Sequence, residues 1–385
     1  MYVPPLFSVV FLSLSSPLSV TRTRSTCTRL GGTSTSSDSL LSSSYAGPTA
    51  ERYGDLLCWV DSFADSYVNP KVEIRPSSRQ GGFGAFAARD IERDELLFSI
   101  PRDACVTVSD ATSDPDCGEA LKNLLKKAGP GGTTVALAGY LAKEYLKMKE
   151  LEKKTTGSGS VADSALSEQF DDIKFAPYIR TLPWERGVND QEHVLFWTEA
   201  DVDQYLKGSL SYAESAELRN EVKLAVKVLN GLVGPTIRKV RGEKTINPLW
   251  TILPWEKDTA TTSSTADGLE EAVVGAFVTI LTRSFTTDVF EERLVPLLDM
   301  LQHSDTPSVS HASNDGGGVE VRAKVEIKAN EEIFNRYQKE TDEDEGRMPR
   351  HRFFTRFGFV PGSTTPVRQM LAERNELFYP KQREV

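Results

Sequence analysis

The sequence predicts an α+β fold in which short strands occupy two separate stretches of the chain and helices fill the stretch between them. In the first stretch, Val72–Ile74 and Leu96–Ile100 are short apolar runs bounded by turn residues, a pattern typical of strands. From about Glu119 the apolar residues recur at the spacing of a helix. Strand-like alternation returns in Val319–Arg322 and again from Ile333.

The composition is that of an acidic globular protein. The chain has 385 residues, 39% hydrophobic and 26% charged, enough for one large domain or two ordinary ones. The net charge of −10 argues against binding to phosphate backbones, because such binding needs a basic face. We therefore expect no nucleic-acid partner. An acidic surface suits a lysine-rich protein partner, although it also serves solubility alone.

The four cysteines do not form a metal-binding pattern. No two of Cys27, Cys58, Cys105 and Cys117 have the C-x-x-C spacing of a zinc site. We predict free thiols in a reducing compartment and no metal centre.

The first 50 residues have the composition of a targeting segment, and we exclude them from the fold. Leu6–Leu14 is apolar but too short for a membrane-spanning helix. Ser15–Ser44 is rich in Ser, Thr and Arg and poor in acids. An apolar run indicates a secretory signal and the second pattern a transit peptide, so the two in series favour a plastid presequence. The alternative is a disordered leader on a cytoplasmic protein. In both cases we expect no transmembrane segment in the mature protein.

The first folded elements are predicted to be a helix and a glycine-rich hairpin. Ala50–Val68 has the apolar spacing of an amphipathic helix. The turn-rich stretch Arg75–Gly82 follows it. Gly82 and Gly84 let a backbone approach a ligand closely, but the same pair is typical of an ordinary hairpin turn. Both interpretations stay open on this pattern alone.

The middle of the chain is predicted to be helical. Two apolar helical faces consist of Val135, Ala138, Leu141, Tyr145 and Met148, and of Leu218, Val222, Ala225, Val226 and Leu229. Lys153–Ser167 and Thr259–Asp267 are polar and are predicted to be exposed loops. Glu270–Leu281 is predicted to be a helix with Arg283 at its end. The helix dipole alone favours an arginine there, so its role is open between structure and function.

The stretch Leu294–His303 is the feature around which the site is predicted. It is an apolar run that contains Asp299 and ends with Gln302 and His303. A buried carboxylate costs several kcal/mol unless it is paired, so Asp299 must have partners. The aromatic cluster Phe353–Val360 belongs either to the core or to the site.

In chain order, these stretches resemble a SET-domain methyltransferase, and more closely the Rubisco large-subunit methyltransferase class of protein-lysine methyltransferases. The resemblance covers about residues 50–362 and rests on the following stretches: Gly82–Ala87, Ile91–Pro101, Pro177–Pro183, Trp197–Ser209, Arg283–Phe285, Asp299–His303 and Ile333–Tyr337. The absence of cysteine clusters beside these stretches fits this class better than histone-directed classes with zinc-binding flanks.

The resemblance implies a SET-domain β-fold with short sheets and a pseudo-knot, interrupted by a helical insertion. The SET domain would span 51–362, with an N-terminal part at 70–105, the insertion at about 106–270 and a C-terminal part at 271–362. Residues 363–385 would be a short tail rather than the full substrate-binding domain of this class.

The resemblance also implies the cofactor S-adenosyl-L-methionine and a set of site residues. The cofactor would be bound by Gly82, Phe83, Gly84, Arg283, Gln302 and His303. Tyr337 would be the catalytic hydroxyl, and the protein substrate would be bound by Asp299, Tyr337 and Phe357. No metal takes part.

Two of these positions depart from the family pattern. Gln302 stands where the family usually has Asn, and Phe357 stands where many members have Tyr. The expected function is S-adenosylmethionine-dependent N-methylation of a lysine in a non-histone protein, such as the Rubisco large subunit of a plastid. The departures keep two alternatives open: a catalytically weakened SET-fold binding module and a protein-histidine methyltransferase.

Overall fold

The computed structural model describes residues 48–77, 82–156, 170, 172–187, 192–242, 268–286, 292–338, 348–363 and 365–380. The chain divides into two compact units, the first formed by 1–106 and 283–348 and the second by 107–282 and 349–385. Residues 271–282 and 349–385 thus belong to the second unit, together with the helical middle of the chain. The boundaries of the SET domain at 51 and 362 stay a prediction.

Several predicted features lie outside the described residues. They are the leader up to residue 47, the loop at 157–167 and the loop Thr259–Asp267.

The first unit consists mainly of short strands. Its described elements are α1 (Pro48–Asp61), β1 (Tyr67–Val68), β2 (Val72–Pro76), β3 (Phe83–Ala87), β4 (Leu96–Ile100), β5 (Val106–Thr107, where the chain enters the second unit), β6 (Ser284–Thr286), β7 (Glu292–Leu294), β8 (Gln302–His303), β9 (Val309–Ser313), β10 (Val319–Ala323) and β11 (Glu332–Asn335).

The helix predicted over Ala50–Val68 ends earlier than expected. Helix α1 stops at Asp61, and the next regular element is strand β1. The turn between them contains Asp65 with a φ of 61°. A helix cannot continue through a left-handed residue, and aspartate is one of the few side chains that tolerate this conformation.

The first sheet is antiparallel and has the order β1-β4-β10-β9. Strand β10 lies at its centre, with Val321 opposite Phe98 of β4 and opposite His311 of β9. Val321 and Phe98 are both fully buried. This sheet therefore supplies part of the core of the first unit.

The second sheet has the order β2-β3-β11-β8 and joins four distant parts of the sequence. Strand β3 pairs antiparallel with β11, where Ala85 lies opposite Ile333. Strand β11 pairs in parallel with β8, and Asn335 lies opposite His303. The sheet thus brings the glycine-rich hairpin and the Gln302–His303 pair to the same strand.

A third, small sheet pairs β7 with β6, and β5 is its remaining strand. Arg293 of β7 is buried and donates to the Gly317 carbonyl oxygen at 2.6 Å and to the Ser313 hydroxyl at 3.0 Å. These bonds hold the glycine-rich loop between β9 and β10.

The second unit is helical. Its described helices are α2 (Val108–Ser113), α3 (Gly118–Ala128), α4 (Gly132–Thr156), α5 (Ala176–Ile179), α6 (Glu199–Leu206), α7 (Ser211–Leu232), α8 (Gly234–Val240), α9 (Leu269–Arg283, whose last residue belongs to the first unit), α10 (Arg350–Phe357) and α11 (Val367–Ala372). Thr198 caps α6, because its hydroxyl accepts from the Asp201 N–H and the Asp201 carboxylate accepts from the Thr198 N–H in return.

The C-terminal segment packs into the second unit. Met370, Leu371 and Phe378 are buried in one cluster with Trp197. The Arg368 guanidinium lies over the Trp197 ring at 4.5 Å and pairs with acidic side chains of the same unit. The residues predicted as a tail therefore contribute to this core.

No helix in the described part of the chain is long and apolar enough to cross a membrane. Cys105 and Cys117 carry thiols instead of disulfides, as predicted, and both are buried. The prediction of free thiols is wrong at Cys58, which is disulfide-bonded.

His193 makes the stability of the second unit dependent on pH. It is fully buried, and burial lowers its pKa from 6.5 to about 4, against partial opposition from the backbone of Arg356 and Thr355. The unfolded chain therefore binds more protons between these values, and stability is full above about pH 6.5 and falls as the pH drops toward 4. We expect His193 to account for about 3 kcal/mol of that loss.

Urea unfolding between pH 7 and 4.5 tests this expectation. His193→Asn keeps an acceptor for the Leu195 N–H, which the imidazole Nδ1 accepts at 3.2 Å, but does not titrate. The variant should lose less stability than the wild type on acidification. An unchanged pH slope would contradict the assignment.

Candidate active site

The stretch Leu294–His303 is buried except at Gln302, which is half-buried. The backbone of this stretch changes direction at Leu297, which has a φ of 69° and a ψ of −44°. A leucine in this region of backbone space is strained. Leu298–Met300 then form one turn of 3-10 helix, so Asp299 lies at a tight bend instead of in a continuous strand.

Arg283 is a partner of the buried Asp299 carboxylate. The Asp299 side chain is 0% exposed, and its Oδ2 lies 3.2 Å from the Arg283 Nη1. The same Nη1 donates to the Asp299 carbonyl oxygen at 3.3 Å. Arg283 is the last residue of α9, where the helix dipole also favours a cation. The sequence left the role of Arg283 open, and the structure gives it at least this ion pair.

The glycine-rich hairpin leads directly into β3. Gly82 has a φ of 67°, which favours glycine. At Gly84, a Cβ atom would lie 2.4 Å from the Glu332 Oε1. Glycine at this position therefore lets the Glu332 and Gln302 side chains lie directly against the hairpin backbone.

Gln302 connects the hairpin to the buried stretch. Its Nε2 donates to the Phe83 carbonyl oxygen at 2.9 Å. The Phe83 ring in turn packs against the Tyr53 ring of α1, with 4.3 Å between the ring centroids. A side chain one methylene longer than asparagine thus binds the backbone of the hairpin.

His303 is a neutral, buried imidazole. Its Nδ1 accepts from the Tyr337 N–H at 3.1 Å, so its proton belongs on Nε2, which lies 3.6 Å from the Asp305 Oδ1. Burial lowers the pKa of His303, Asp305 opposes this effect, and the Arg336 charge adds to it. His303 therefore holds the chain at Tyr337 in place instead of presenting a charge.

Tyr337 lies just beyond β11, and its hydroxyl donates to the Leu301 carbonyl oxygen at 2.9 Å. Burial raises the pKa of Tyr337, and the Asp299 and Glu332 carboxylates raise it further, against the Arg283 charge. The phenol therefore keeps its proton at neutral pH and acts as a donor, not as a base. Its hydrogen bond fixes the carbonyl directly before Gln302.

Asn335 belongs to this region but was not among the predicted site residues. It is 3% exposed, and its Oδ1 accepts from the Arg336 N–H at 2.8 Å. Its Nδ2 is buried and has no hydrogen-bond partner in the described part of the chain. The signal available in the sequence was an amide at an inward position of a strand that begins with Ile333.

The predicted site residues fall into two groups. Those at 82–84, 283, 299, 302, 303 and 337 all lie in the first unit, connected by the second sheet and the Arg283–Asp299 ion pair. Phe357 lies in the second unit, where it is buried against Phe353 at 4.5 Å between ring centroids. The assigned roles of all these residues stay predictions. Among the described residues, no three His, Cys, Asp or Glu side chains come together as a metal site.

The fold and the order of these stretches define a SET-domain protein. A family model of the SET domain matches residues 82–338, which is most of the chain. This protein belongs to the SET-domain family, and the fold expected from the resemblance is confirmed.

Similar proteins come from the same family. Ribosomal lysine N-methyltransferase 4 of Saccharomyces cerevisiae is 20% identical over 312 residues, which are 80% of this chain and 55% of the yeast protein. The structure of Rubisco LSMT bound to AdoMet matches with a TM-score of 0.54 and 15% identity, over 82% of this chain and 57% of that one. The SET domain of LSMT bound to lysine and AdoHcy matches with a TM-score of 0.53 and 13% identity, over 82% and 58%. The chain therefore spans a little over half the length of these relatives.

Proposed function

We propose that this protein transfers a methyl group from S-adenosylmethionine to a lysine of a non-histone protein. The observation that carries the proposal is the second sheet. It brings the glycine-rich hairpin, the Gln302–His303 pair and the strand before Tyr337 together within a SET domain. The similar proteins support the reaction and the cofactor, since they include a lysine N-methyltransferase and a structure bound to AdoMet.

The chemistry of the residues fits this cofactor. The Arg283 guanidinium offers a planar fork that suits a carboxylate. Asn335 has a buried donor without a partner in the described chain. When bound, S-adenosylmethionine supplies an electrophilic methyl group to a neutral amine.

Positioning is the contribution that the protein itself makes. A displacement at a methyl group needs alignment more than a strong acid or base. The Tyr337 hydroxyl and the Leu301 carbonyl form a partly buried, hydrogen-bonded dipole pair in the first unit. Such groups orient an incoming amine without reorganising during the reaction. Burial also favours the neutral form of a lysine, which is the nucleophile.

Transfer of a radiolabelled methyl group from S-adenosylmethionine tests the proposal. The purified chain would be incubated with plastid extract, ribosomal proteins or histones, and labelled proteins would be hydrolysed for amino-acid analysis. Labelled methyl-lysine in a non-histone protein supports the proposal. Labelled methyl-histidine would instead show that histidine is the methylated residue. Cofactor binding without any transfer would favour the weakened binding module that Gln302 and Phe357 suggest.

We propose a plastid substrate, such as the Rubisco large subunit, and a plastid location. The support is the composition of the first 50 residues and the similarity to the Rubisco LSMT structures. A fluorescent protein fused behind residues 1–50 tests the location. Fluorescence in the cytosol would contradict it.

Arg283→Ala is expected to weaken binding of S-adenosylmethionine at least tenfold. The substitution removes the cation proposed for the cofactor carboxylate and leaves Asp299 buried without this ion pair. Isothermal titration measures the affinity. Arg283→Lys keeps the charge but not the fork, so it should retain the fold and lose part of the affinity. Arg322→Ala, on the exposed part of β10, is the control, and unchanged affinity in both Arg283 variants would remove this residue from the site.

A further inference from the structure

Asn335 carries a buried donor that the described chain does not use. The residue is 3% exposed, yet its Nδ2 has no hydrogen-bond partner. An unsatisfied buried donor costs about 1–3 kcal/mol. Strand interiors usually avoid this cost with an apolar side chain, as Ile333 does two positions earlier.

The orientation of the Asn335 amide is set by its neighbours. The Oδ1 accepts from the Arg336 N–H at 2.8 Å, so the oxygen faces the backbone and the nitrogen faces away from it. An inverted amide would lose this bond and place two donors against each other. The NH2 group is therefore held as a donor in the interior.

The position of Asn335 places this donor among the site residues. In the parallel pair of β8 and β11, Asn335 lies opposite His303. Tyr337 follows two residues later, and its N–H bonds to the His303 imidazole. The amide at 302, where the family has asparagine, donates to the Phe83 carbonyl. Gln302 on β8 and Asn335 on β11 therefore each carry an amide donor.

We propose that Asn335 is a cofactor-binding residue, whose amide donates to an acceptor atom of bound S-adenosylmethionine. The inference rests on the proposed function. In the proposed site, Gln302 holds the hairpin to β8, while Asn335 adds an amide donor from β11. The cost of the unsatisfied donor in the free protein is recovered when the cofactor supplies the acceptor.

Isothermal titration of the full chain with S-adenosylmethionine tests the proposal. Asn335→Leu keeps the branched shape of the side chain and removes the donor, and it should weaken binding about tenfold. Asn335→Asp replaces the donor by an acceptor, and it should weaken binding about 100-fold. The matched control is Asn123→Asp, the same chemical change on the exposed face of α3, and it should leave the affinity unchanged.

Thermal unfolding without cofactor separates binding from folding. Asn335→Leu removes an unsatisfied donor but also the acceptor of the Arg336 N–H, so it should melt near the wild-type temperature, while its stabilisation by added cofactor should shrink. Wild-type affinity in the folded Leu and Asp variants would overturn the role of Asn335 and leave the proposed function standing. Absence of binding by the wild type would instead contradict the proposed function itself.

Discussion

Tyr337→Phe is expected to slow methyl transfer about 100-fold and to leave the affinity for S-adenosylmethionine within about twofold. The Tyr337 hydroxyl is a partly buried donor with a raised pKa, and it donates to the Leu301 carbonyl at 2.9 Å. Fixed dipoles in an environment without water contribute most where charge changes during the reaction, and a loss of this size corresponds to about 2.7 kcal/mol. The aromatic ring remains in the variant, so the packing of Tyr337 against His303 should persist.

The measurement is single-turnover transfer of a labelled methyl group, with titration of the cofactor in parallel. Tyr67→Phe, on β1 of the same unit, makes the same chemical change and should keep wild-type turnover. Wild-type turnover in Tyr337→Phe would refute the catalytic role. Loss of cofactor affinity together with turnover would instead make Tyr337 a residue that maintains the site.

Lys143→Met is expected to destabilise the protein by about 3–5 kcal/mol. Lys143 lies in α4 with its side chain 3% exposed, and its Nζ pairs with Asp114 and, at 2.5 Å, with Glu144. Burial alone would lower the pKa of Lys143, but the two carboxylates raise it above the ordinary value. Lys143 therefore stays charged, and removing it leaves buried acids without their cation.

The acids respond differently to this cluster. Burial would raise the pKa of Asp114, but bonds from Lys143 and from the Cys117 N–H lower it, whereas burial keeps the pKa of Glu144 raised despite Lys143. In Lys143→Met, Glu144 can therefore be relieved by taking up a proton, and Asp114 carries most of the uncompensated charge. Adding Asp114→Asn to the variant should recover part of the lost stability.

Urea unfolding of these variants gives the free energies. Lys122→Met is the control, because its exposed Nζ lies 3.9 Å from the exposed Glu119 carboxylate in α3 of the same unit. It should change stability by less than about 0.5 kcal/mol. A loss below about 1 kcal/mol in Lys143→Met would show that the ion pairs do not stabilise this unit.

The local pattern of the sequence was sufficient for most elements of the fold. Apolar spacing located the helices from Gly132 to Leu232, and alternation located β10 and β11, because periodicity records which face of an element is buried. The burial of Leu294–His303 and the need of Asp299 for a partner followed from composition and the cost of burying a charge.

The spacing of apolar residues did not predict where the elements end or how the C-terminal residues pack. The turn after α1 contains the left-handed Asp65, and the residues after 363 join the core of the second unit through Met370 and Phe378. A turn conformation and a long-range contact leave little trace in the spacing of apolar residues. Phe357 likewise could be located only within its own unit.

The sequence by itself determined the family, the order of strands and helices, and the segments that form the candidate site, since motifs in a fixed order survive at low identity. Only the tertiary structure decided what the side chains in those segments do. The Gln302 amide binds a carbonyl 219 residues earlier, the Tyr337 hydroxyl binds Leu301, and Asn335 is left with an unused donor. These outcomes depend on the parallel pairing of β8 with β11. Such pairing joins residues far apart in the chain, and no local pattern specifies it.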